Sequence, residues 1–479
     1  MRADAGDAAA GRTGSRRAAA GGPSRLWWWI GGFAVAGIAL RLGAAWWIPK
    51  QMVWYDLGGD GWVYYLNARA LADGEWFVDA LILGHPPEAM HPPLWTLVLG
   101  GLTKLGLTAR FHLQIATAVL GGVTIVLVAL LARRVAGPRA AIWAAGLAAC
   151  YPGFWIYERN LNAEALLFPL LAGLLLVAYR FRDRPSWGSA AAMGLLVGLL
   201  AMTRAEQVLL LVLLVVPLVL LTKVLPLARR AAYAALAVGL VVLVSAPWTI
   251  FNATRFEQPV LLSAGSGTAM VVGACDGSFY GPHVGGFDGN CLLTSYGQYH
   301  PDDAVRSSQQ QREALDYTRE NLGRFPVVLL AREGRSFGLY EPAQQVQLNV
   351  TSQNAPPWLG WAQVVSYWVL LPLAVAGAVL LRRRGALLWP LLVPPVIVAI
   401  ATAVTFGDSR YRASMELSVI VLAAVAAAVI QTSIAARRFV DVAEPAVGPV
   451  APAEPDLDLT QPVVVDLDAE SETDVVPSR

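Results

Sequence analysis

The stretch HLQIATAVLGGVTIVLVALLARR, residues 112–134, decides the fold class of this 479-residue chain. No Asp, Glu, Lys or Arg interrupts it before Arg133. A helix of about 20 apolar residues is long enough to cross a hydrocarbon core about 30 Å thick. Basic residues such as Arg133 and Arg134 are typical of the cytoplasmic end of such a helix. The stretch therefore predicts a transmembrane helix.

Similar apolar runs recur along most of the sequence. Ten runs can be delimited, at 26–48, 112–134, 139–157, 162–180, 187–203, 206–223, 229–250, 359–381, 386–406 and 412–436. The chain is 56% hydrophobic and only 15% charged, whereas soluble proteins contain about 25% charged residues. These features predict an all-α polytopic membrane protein with about ten transmembrane helices.

The distribution of basic residues predicts how these helices are oriented. With ten crossings, the arginine-rich N-terminus and every cluster of Lys and Arg between the runs fall on the cytoplasmic side. A further run at 92–107 would reverse this pattern if it crossed, so we expect an interfacial helix on the outer face. Both termini are then cytoplasmic. The outer face receives the segments 49–111, 157–164, 203–206, 251–358 and 406–412.

Composition also suggests a division of the chain into five parts. Residues 1–25 form a Gly/Ala/Arg leader, and 437–479 form a tail; residues 440–479 contain ten acidic residues and one basic, so both ends are expected to be disordered and cytoplasmic. Between them we expect an N-terminal transmembrane catalytic module (26–250), which includes the external loop 49–111, an extracytoplasmic loop domain (251–358) and C-terminal helices (359–436). The basic residues lie at helix ends, which gives no support for nucleic-acid binding.

The three cysteines fall in two environments. Cys150 lies inside an apolar run, where we expect it to be inert. Cys275 and Cys291 lie together in the external segment 251–358, where a disulfide is chemically possible. The sequence leaves open whether they are bonded.

The first external loop contains GDGWVYYLNARALADG, residues 59–74, which predicts a short helix from Gly61 to Asp73. Asp60 stands at the N-cap position and Gly74 just beyond the end. Asp60 is then either a helix cap or a general base at the membrane surface, and the two roles are compatible. Asp56 is a second candidate carboxylate in this loop, and the choice between the two stays open.

Histidines and charged residues occupy the other external segments. His85 and His91 in GHPPEAMHPPLW could bind a metal or act as acid and base, although a structural or substrate-binding role is favoured and no metal is expected. Basic residues on the outer face run against the positive-inside trend, and the simplest reason is an anionic ligand. These external charged candidates are Glu158, Arg159, Glu164, Arg204, Glu206, Asp408, Arg410 and Arg412.

Taken in order, these segments resemble the GT-C class of membrane glycosyltransferases, near the bacterial branch of protein O-mannosyltransferases and aminoarabinose transferases. The resemblance covers residues 26–436 and rests on an ordered series of short motifs. They are Asp60 with Tyr64 and Tyr65, ARALADG (68–74), HPPLW (91–95), LLARRVAG (130–137), YERNLNAE (157–164), GLLVGLLAMTRAE (194–206), APWTIFN (246–252) and GDSRYR (407–412). One departure is that many relatives have Asp-Glu in the first loop, whereas Gly61 follows Asp60 here.

The resemblance implies a GT-C-like bundle that transfers a sugar from a polyprenyl-phosphate donor to a hydroxyl of a glycan, lipid or protein outside the cell membrane. It implies Asp60 as the catalytic base and, without a metal cofactor, Arg204 and Arg412 as the cations that neutralise the phosphate, with Arg410 or Arg159 in reserve. Helices 206–223 and 359–381 are expected to flank the prenyl tail. The substrate-binding candidates are Asp56, Tyr64, Tyr65, His91, Arg159, Glu164, Arg204, Glu206, Arg410 and Arg412.

Two other classes of protein remain as alternatives. A polytopic transporter would also carry charges among apolar helices, but transporters usually place them near the midplane and show repeated halves. Here the charges gather at one face and no internal repeat is visible. The second alternative is a non-catalytic scaffold for assembly of cell-envelope glycans. Acidic and basic residues at several separate helix ends argue against it.

Overall fold

The computed structural model describes residues 23–51, 59–295 and 300–443. All regular secondary structure in these ranges is helical apart from a single antiparallel bridge between Val78 and Pro87. The fold class predicted from the apolar runs is therefore confirmed. Most of the leader 1–25, the residue Asp56 and the tail from 444 onward lie outside the described residues.

Within the described residues, six helices are long and apolar enough to cross a membrane. These are α1 (Pro23–Trp47), α4 (Arg110–Ala136), α7 (Glu164–Asp183), α10 (Leu227–Asn252), α17 (Pro357–Arg383) and α19 (Ala413–Ala443). A seventh span is formed if α5 (Pro138–Cys150) and α6 (Pro152–Arg159), which meet at a 46° bend, cross as one unit. The chain is thus a multi-pass membrane protein.

Three further apolar segments are shorter than a full span. They are α8 (Trp187–Ala201), the segment Ala205–Leu220 with α9 (Val216–Leu220) at its end, and α18 (Trp389–Val404). Together with the six long helices and the bent pair they match the ten predicted runs in position. Helix length supports six or seven crossings, so the number of about ten stays a prediction.

Pro152 interrupts the helical hydrogen bonds between α5 and α6, and Arg41 of α1 donates to the carbonyl groups that lose their partners. Pro152 has no N–H to donate to the carbonyl of Ala148, four residues earlier. The Arg41 guanidinium donates to the carbonyl oxygens of Ala148 (3.5 Å) and Ala149 (3.2 Å). Its charge is balanced by Glu158 of α6, and both side chains are almost fully buried. The Arg41–Glu158 pair holds α6 in its orientation, and α6 leads into the loop before Glu164.

Two short α-helices lie between α1 and α4 in the part of this segment that the structure describes. They are α2 (Asp60–Ala72) and α3 (Pro93–Lys104). With 12 residues, α3 is about 18 Å long and too short to cross a membrane, in agreement with its prediction as a non-spanning helix. The indole N–H of Trp95 donates to the carbonyl of Leu161 at 2.7 Å, and Leu94 N–H donates to the carbonyl of Met202 at 3.0 Å. These bonds tie α3 to the loops after α6 and α8.

Between α10 and α17, the residues outside the gap at 296–299 form six helices, all within the compact unit that runs to Gln431. They are α11 (Ser266–Val271), α12 (Asp276–Phe279), α13 (Gly289–Thr294), α14 (Asp303–Glu320), α15 (Phe325–Ser336) and α16 (Pro342–Ser352). Cys275 and Cys291 form a disulfide that joins the start of α12 to α13. The Arg332 side chain donates to the carbonyls of Gly273 (2.7 Å) and Ala403 (2.6 Å), which holds α15 at the end of α18.

Candidate active site

Two glycines place Asp60 at the start of α2. Gly59 is the N-cap residue and has a left-handed φ of 74°. A Cβ on Gly61 would lie 1.7 Å from the carbonyl oxygen of Asn160, so no side chain fits there. This close approach gives a physical reason why glycine, and not a second carboxylate, follows Asp60 in this chain. A Cβ on Gly59 would likewise lie 1.8 Å from the carbonyl oxygen of Ser352 in α16, so the start of α2 can approach both segments only because both positions are glycine.

The predicted capping role of Asp60 is wrong in one respect. Asp60 is the first residue of the helix, one position after the N-cap, and no side chain caps the helix. Gly74, in contrast, follows the helix end with φ 101°, as predicted. The Asp60 carboxylate contacts the cationic side chains of Arg410 and His91 instead of the backbone N–H groups of α2.

Arg410 joins Asp60 to the membrane helices. Its Nη1 donates to Asp60 Oδ2 at 2.5 Å, and its Nε and Nη2 donate to the two carboxylate oxygens of Glu164 at 2.7 and 3.3 Å. Glu164 is the first residue of α7 and is 0% exposed, whereas Asp60 is 32% exposed. The Arg410 guanidinium therefore links the partly exposed carboxylate of Asp60 to the buried carboxylate of Glu164.

Arg204 forms the second half of the cluster. Its Nη1 donates to Glu164, and its Nε donates to Glu206 Oε1 at 2.5 Å. Its guanidinium also lies 5.7 Å from the ring centroid of Tyr411, within the range of a cation–π interaction. Glu164 thus accepts hydrogen bonds from both arginines, and it fixes their separation.

His91 lies beside the same carboxylate oxygen of Asp60 that accepts from Arg410. Its Nε2 lies 3.5 Å from Asp60 Oδ2, and its Nδ1 lies 3.7 Å from Glu88 Oε1. The Tyr64 ring packs against the imidazole with centroids 4.7 Å apart. Tyr64 follows Asp60 by four residues on α2, so the two share one face of that helix.

The charges of this cluster control its protonation. Burial by itself raises the pKa of Asp60, but the charges of Arg410 and His91 outweigh it and hold the pKa well below its usual value. Burial by itself lowers the pKa of His91, but Asp60 and Glu88 outweigh it and raise the pKa to about 9. Both side chains are therefore charged at neutral pH. Asp60 is ready to accept a proton there, and its low pKa makes it a weak base.

Most of the predicted site residues meet in this one cluster. They are Asp60, Tyr64, His91, Glu164, Arg204, Glu206 and Arg410. Three others lie elsewhere. The Tyr65 hydroxyl donates to the carbonyl of Thr108, and Arg159 donates to the carbonyls of Gln353 and Asn354.

Arg412 is the third predicted residue outside the cluster. It is 0% exposed, donates to Glu416 at 2.8 Å and to the Ser336 carbonyl at 3.3 Å, and stacks 3.8 Å from the ring centroid of Tyr367. These contacts make it part of the packed base of α19. The preference for Arg412 over Arg410 as a phosphate ligand is therefore not supported: of the two arginines in GDSRYR, Arg410 lies at the cluster and Arg412 does not.

Three residues of this region are not among the site residues predicted from the sequence. Glu88 lies behind His91, Asn67 donates a hydrogen bond to Glu88, and Tyr411 lies beside Arg204. Asn67 carried a usable signal, because it follows Asp60 by seven residues and lies on the same face of α2. Glu88 precedes His91 by three residues in the His-Pro-Pro segment. Outside a helix, this spacing does not predict that two side chains lie side by side.

An apolar cavity of about 420 Å³ is lined in part by residues that lie close in sequence to two members of the cluster. Its wall is built from α3, α8, α10 and the loop after α2, by Trp76, Phe77, Pro93, Leu94, Leu97, Leu199, Met202, Val244, Pro247, Trp248 and Phe251. Pro93 follows His91 by two residues, and Met202 precedes Arg204 by two. The cavity does not adjoin 206–223 or 359–381, the segments expected to flank a prenyl tail.

One group of residues in the described part of the chain has the spacing of a metal site. It consists of Cys275, Asp288 and Cys291. The two sulfur atoms are bonded to each other, so neither is a thiolate that could bind a metal. The expectation that no metal takes part stays a prediction.

Comparison with known proteins gives one family match by sequence. The model of the dolichyl-phosphate-mannose-protein mannosyltransferase family matches residues 90–250, about a third of the chain. This range contains α3 to α10, and with them His91, Glu164 and Arg204. No curated protein matches the sequence significantly.

Among solved structures, the fold is similar to that of the oligosaccharyltransferase of Archaeoglobus fulgidus. The apo form matches with a TM-score of 0.50 at 17% identity, over 88% of this chain and 52% of that one. The same enzyme, AglB, with an inhibitory peptide and a dolichol-phosphate, matches with a TM-score of 0.51 at 16% identity, over 89% and 53%. This chain spans about half the length of that enzyme.

A third similar structure is ArnT from Cupriavidus metallidurans bound to undecaprenyl phosphate. It matches with a TM-score of 0.38 at 18% identity, over 84% of this chain and 79% of that one, a likeness too low to support an argument. The family match and the archaeal structures both belong to the GT-C class. The chain therefore has a GT-C fold.

Proposed function

We propose that this GT-C chain is a membrane glycosyltransferase that moves a sugar from a polyprenyl-phosphate donor to a hydroxyl acceptor on a glycan, lipid or protein. The observation that carries the proposal is the position of Arg410, which joins the carboxylate of Asp60 to the Glu164–Arg204 pair. A proton acceptor and two guanidinium groups thereby occupy one site. Glycosyl transfer from a phosphate requires these two kinds of group.

In the proposed reaction, the acceptor oxygen forms a bond to the anomeric carbon while the bond from that carbon to the phosphate oxygen breaks. The electron pair of the broken bond stays on the phosphate. Asp60 takes the proton from the acceptor hydroxyl. Arg410 and Arg204 neutralise the negative charge that builds up on the leaving phosphate, and bidentate donors suit a phosphate well.

The arginines are already paired with carboxylates, which imposes an order on the reaction. Arg410 uses three of its five N–H donors on these carboxylates, so a phosphate that binds it through a parallel pair of donors competes with one of them. Glu164 is fully buried and would be left uncompensated, whereas Asp60 is 32% exposed and can be rehydrated. We therefore assign Asp60 as the partner that the phosphate displaces. Loss of the Arg410 contact raises the pKa of Asp60 and makes it a better base at the moment when the donor is bound.

The apolar cavity is proposed to hold the part of the prenyl chain nearest the phosphate. Its eleven lining residues are apolar or aromatic. Two of them, Pro93 and Met202, lie two positions along the sequence from His91 and Arg204, respectively. Burial of isoprenoid carbon there contributes roughly 25 cal/mol per Å² of apolar surface removed from water. This location replaces the expectation that 206–223 and 359–381 flank the tail.

We also propose an orientation of the chain in the membrane and a reaction that uses no metal cofactor. Basic clusters between the apolar runs favour cytoplasmic termini, which puts Asp60 and Arg410 on the extracytoplasmic side. The donor carries a single phosphate, and the charges of two arginines can replace a divalent cation there. The result is an enzyme of the cell membrane that transfers sugar outside the cytoplasm without a metal cofactor.

A transfer assay with the purified protein in proteoliposomes tests the proposal. A panel of labelled polyprenyl-phosphate sugars is supplied, and mass spectrometry identifies the product. We expect transfer from at least one donor, retained in EDTA and reduced about 10²-fold to 10⁴-fold in Asp60→Asn. Near-full transfer by folded Asp60→Asn contradicts the assignment of the base. Solute exchange without any sugar transfer supports a transporter instead.

A further inference from the structure

Glu88 is a buried carboxylate with two side-chain contacts in the active-site region, and its charge also acts on Arg255. Its Oε2 accepts a hydrogen bond from Asn67 Nδ2, and its Oε1 lies 3.7 Å from His91 Nδ1. The backbone around it is also fixed, because Glu88 N–H donates to the carbonyl of Phe77 at 2.9 Å. A buried carboxylate is costly unless it is paired, so these contacts hold Glu88 in one orientation.

Helix α2 contributes residues that contact His91 and a residue that contacts Glu88. Asp60, Tyr64 and Asn67 lie on one face of the helix. Asp60 faces His91 Nε2 at 3.5 Å, Tyr64 packs on the imidazole ring, and Asn67 holds Glu88 behind it. The imidazole is therefore enclosed by side chains from one rigid helix and by Glu88 from its own loop.

Both ring nitrogens of His91 face a carboxylate. An imidazole can donate from both nitrogens only when it is doubly protonated. Glu88 therefore favours the cationic form and sets the plane of the ring, and the cationic ring in turn attracts Asp60. When a phosphate takes Arg410 away from Asp60, His91 is the cation that stays beside it.

We propose that Glu88 is a positioning residue for sugar transfer, which acts through His91 to hold the Asp60 carboxylate in place. The inference rests on the proposed function, since its role is defined by the base of that reaction. Glu88 does not touch the reacting atoms. Its effect passes through the His91 ring.

The groups that face this pair determine what a titration should show. On His91 they are Asp60, Glu88 and the ring of Tyr64. Burial, with a smaller contribution from Asp79 and Asp303, raises the pKa of Glu88, whereas His91 lowers it. Removing the charge of Glu88 leaves Asp60 as the one carboxylate beside the imidazole among the described residues.

The test compares Glu88→Gln with a matched control in the same loop. Glu75 pairs with His85, but both side chains are nearly half exposed, at 47% and 44%, so Glu75→Gln removes a Glu–His pair outside the site. The chain has five histidines, which allows ¹³C-histidine NMR of the full-length protein, with His91→Asn to assign the signal. This measurement does not depend on enzymatic activity.

We expect the His91 titration midpoint to fall by about one pH unit or more in Glu88→Gln and to stay constant in Glu75→Gln. In the transfer assay, kcat of Glu88→Gln should fall about 10-fold to 100-fold with little change in KM for the donor, and the alkaline limb of its pH profile should move to lower pH. Glu88→Gln combined with His91→Asn should cost no more than His91→Asn alone, because Glu88 acts through that ring.

Each outcome decides a separate point. A His91 midpoint that does not move in folded Glu88→Gln overturns the inference, and so does an unchanged kcat with a shifted midpoint. Additive losses in the double variant also overturn it. If the unsubstituted protein transfers no sugar from any donor, the proposed function fails, and the histidine titration still reports whether Glu88 controls His91.

Discussion

Replacement of Arg410 is the most direct test of the site, because this one side chain holds both carboxylates. Arg410→Ala removes one hydrogen bond to Asp60 and two to Glu164. Breaking a buried ion pair costs about 3–5 kcal/mol, and the lower end applies here because Glu164 keeps Arg204 as a partner. The pair with the partly exposed Asp60 adds at most about 1 kcal/mol.

The effect on transfer should be larger than the effect on stability. Loss of one donor to a developing negative charge costs about 10²-fold to 10³-fold in kcat. Arg410→Lys keeps the charge, but a single ammonium group cannot bridge Asp60 and Glu164 as the guanidinium fork does. We therefore expect Arg410→Lys to recover most of the thermal stability and little of the transfer activity.

Initial rates of transfer in proteoliposomes and thermal unfolding in detergent measure these two effects. Arg412→Lys is the matched control, since Arg412 lies two residues away and is fully buried outside the cluster. It should lower the melting temperature while the folded protein keeps kcat within about tenfold. Transfer by Arg410→Lys at the unsubstituted rate would refute the role given to this guanidinium.

Three further predictions follow from the same geometry. The raised pKa of His91 contributes stability that is present below pH 6.5 and lost as pH rises through about 9, so the melting temperature should fall across that window, and not in His91→Asn. Mass spectrometry should find Cys275 and Cys291 alkylated only after reduction, and loss of their 16-residue cross-link should destabilise the protein by about 3 kcal/mol. Gly61→Ala should abolish most transfer because a Cβ would lie 1.7 Å from a backbone carbonyl oxygen, whereas Gly31→Ala, with nothing within 4 Å, should be silent.

The apolar runs and the turn residues of this chain could be predicted from sequence because they depend on local chemistry. A run such as 112–134 must be helical in a membrane, where each backbone group needs a partner within its own segment. The helix after Asp60 and the left-handed Gly74 follow from short-range preferences that no distant contact overrides. The number of crossings does not follow in this way, because α8 and α18 are shorter than a full span.

The separation of Arg410 from Arg412 shows where such reasoning ends. The two residues are two positions apart in GDSRYR, and the family resemblance favoured Arg412 as the phosphate ligand, with Arg410 in reserve. They precede α19 in a turn, where no fixed periodicity sets the direction of a side chain. Arg410 binds Asp60 and Glu164, whereas Arg412 is enclosed by Glu416 and Tyr367.

By itself, the sequence determined a helical membrane protein that collects acidic and basic residues in the segments between its helices, because hydrophobic length and charge placement are properties of the chain. Only the tertiary structure decided which charges meet. Asp60 and Arg410 lie 350 residues apart, and Arg410 and Glu164 lie 246 apart. Their contacts depend on the direction in which each helix end faces, and that direction is set by packing, such as the fit of Gly61 against Asn160.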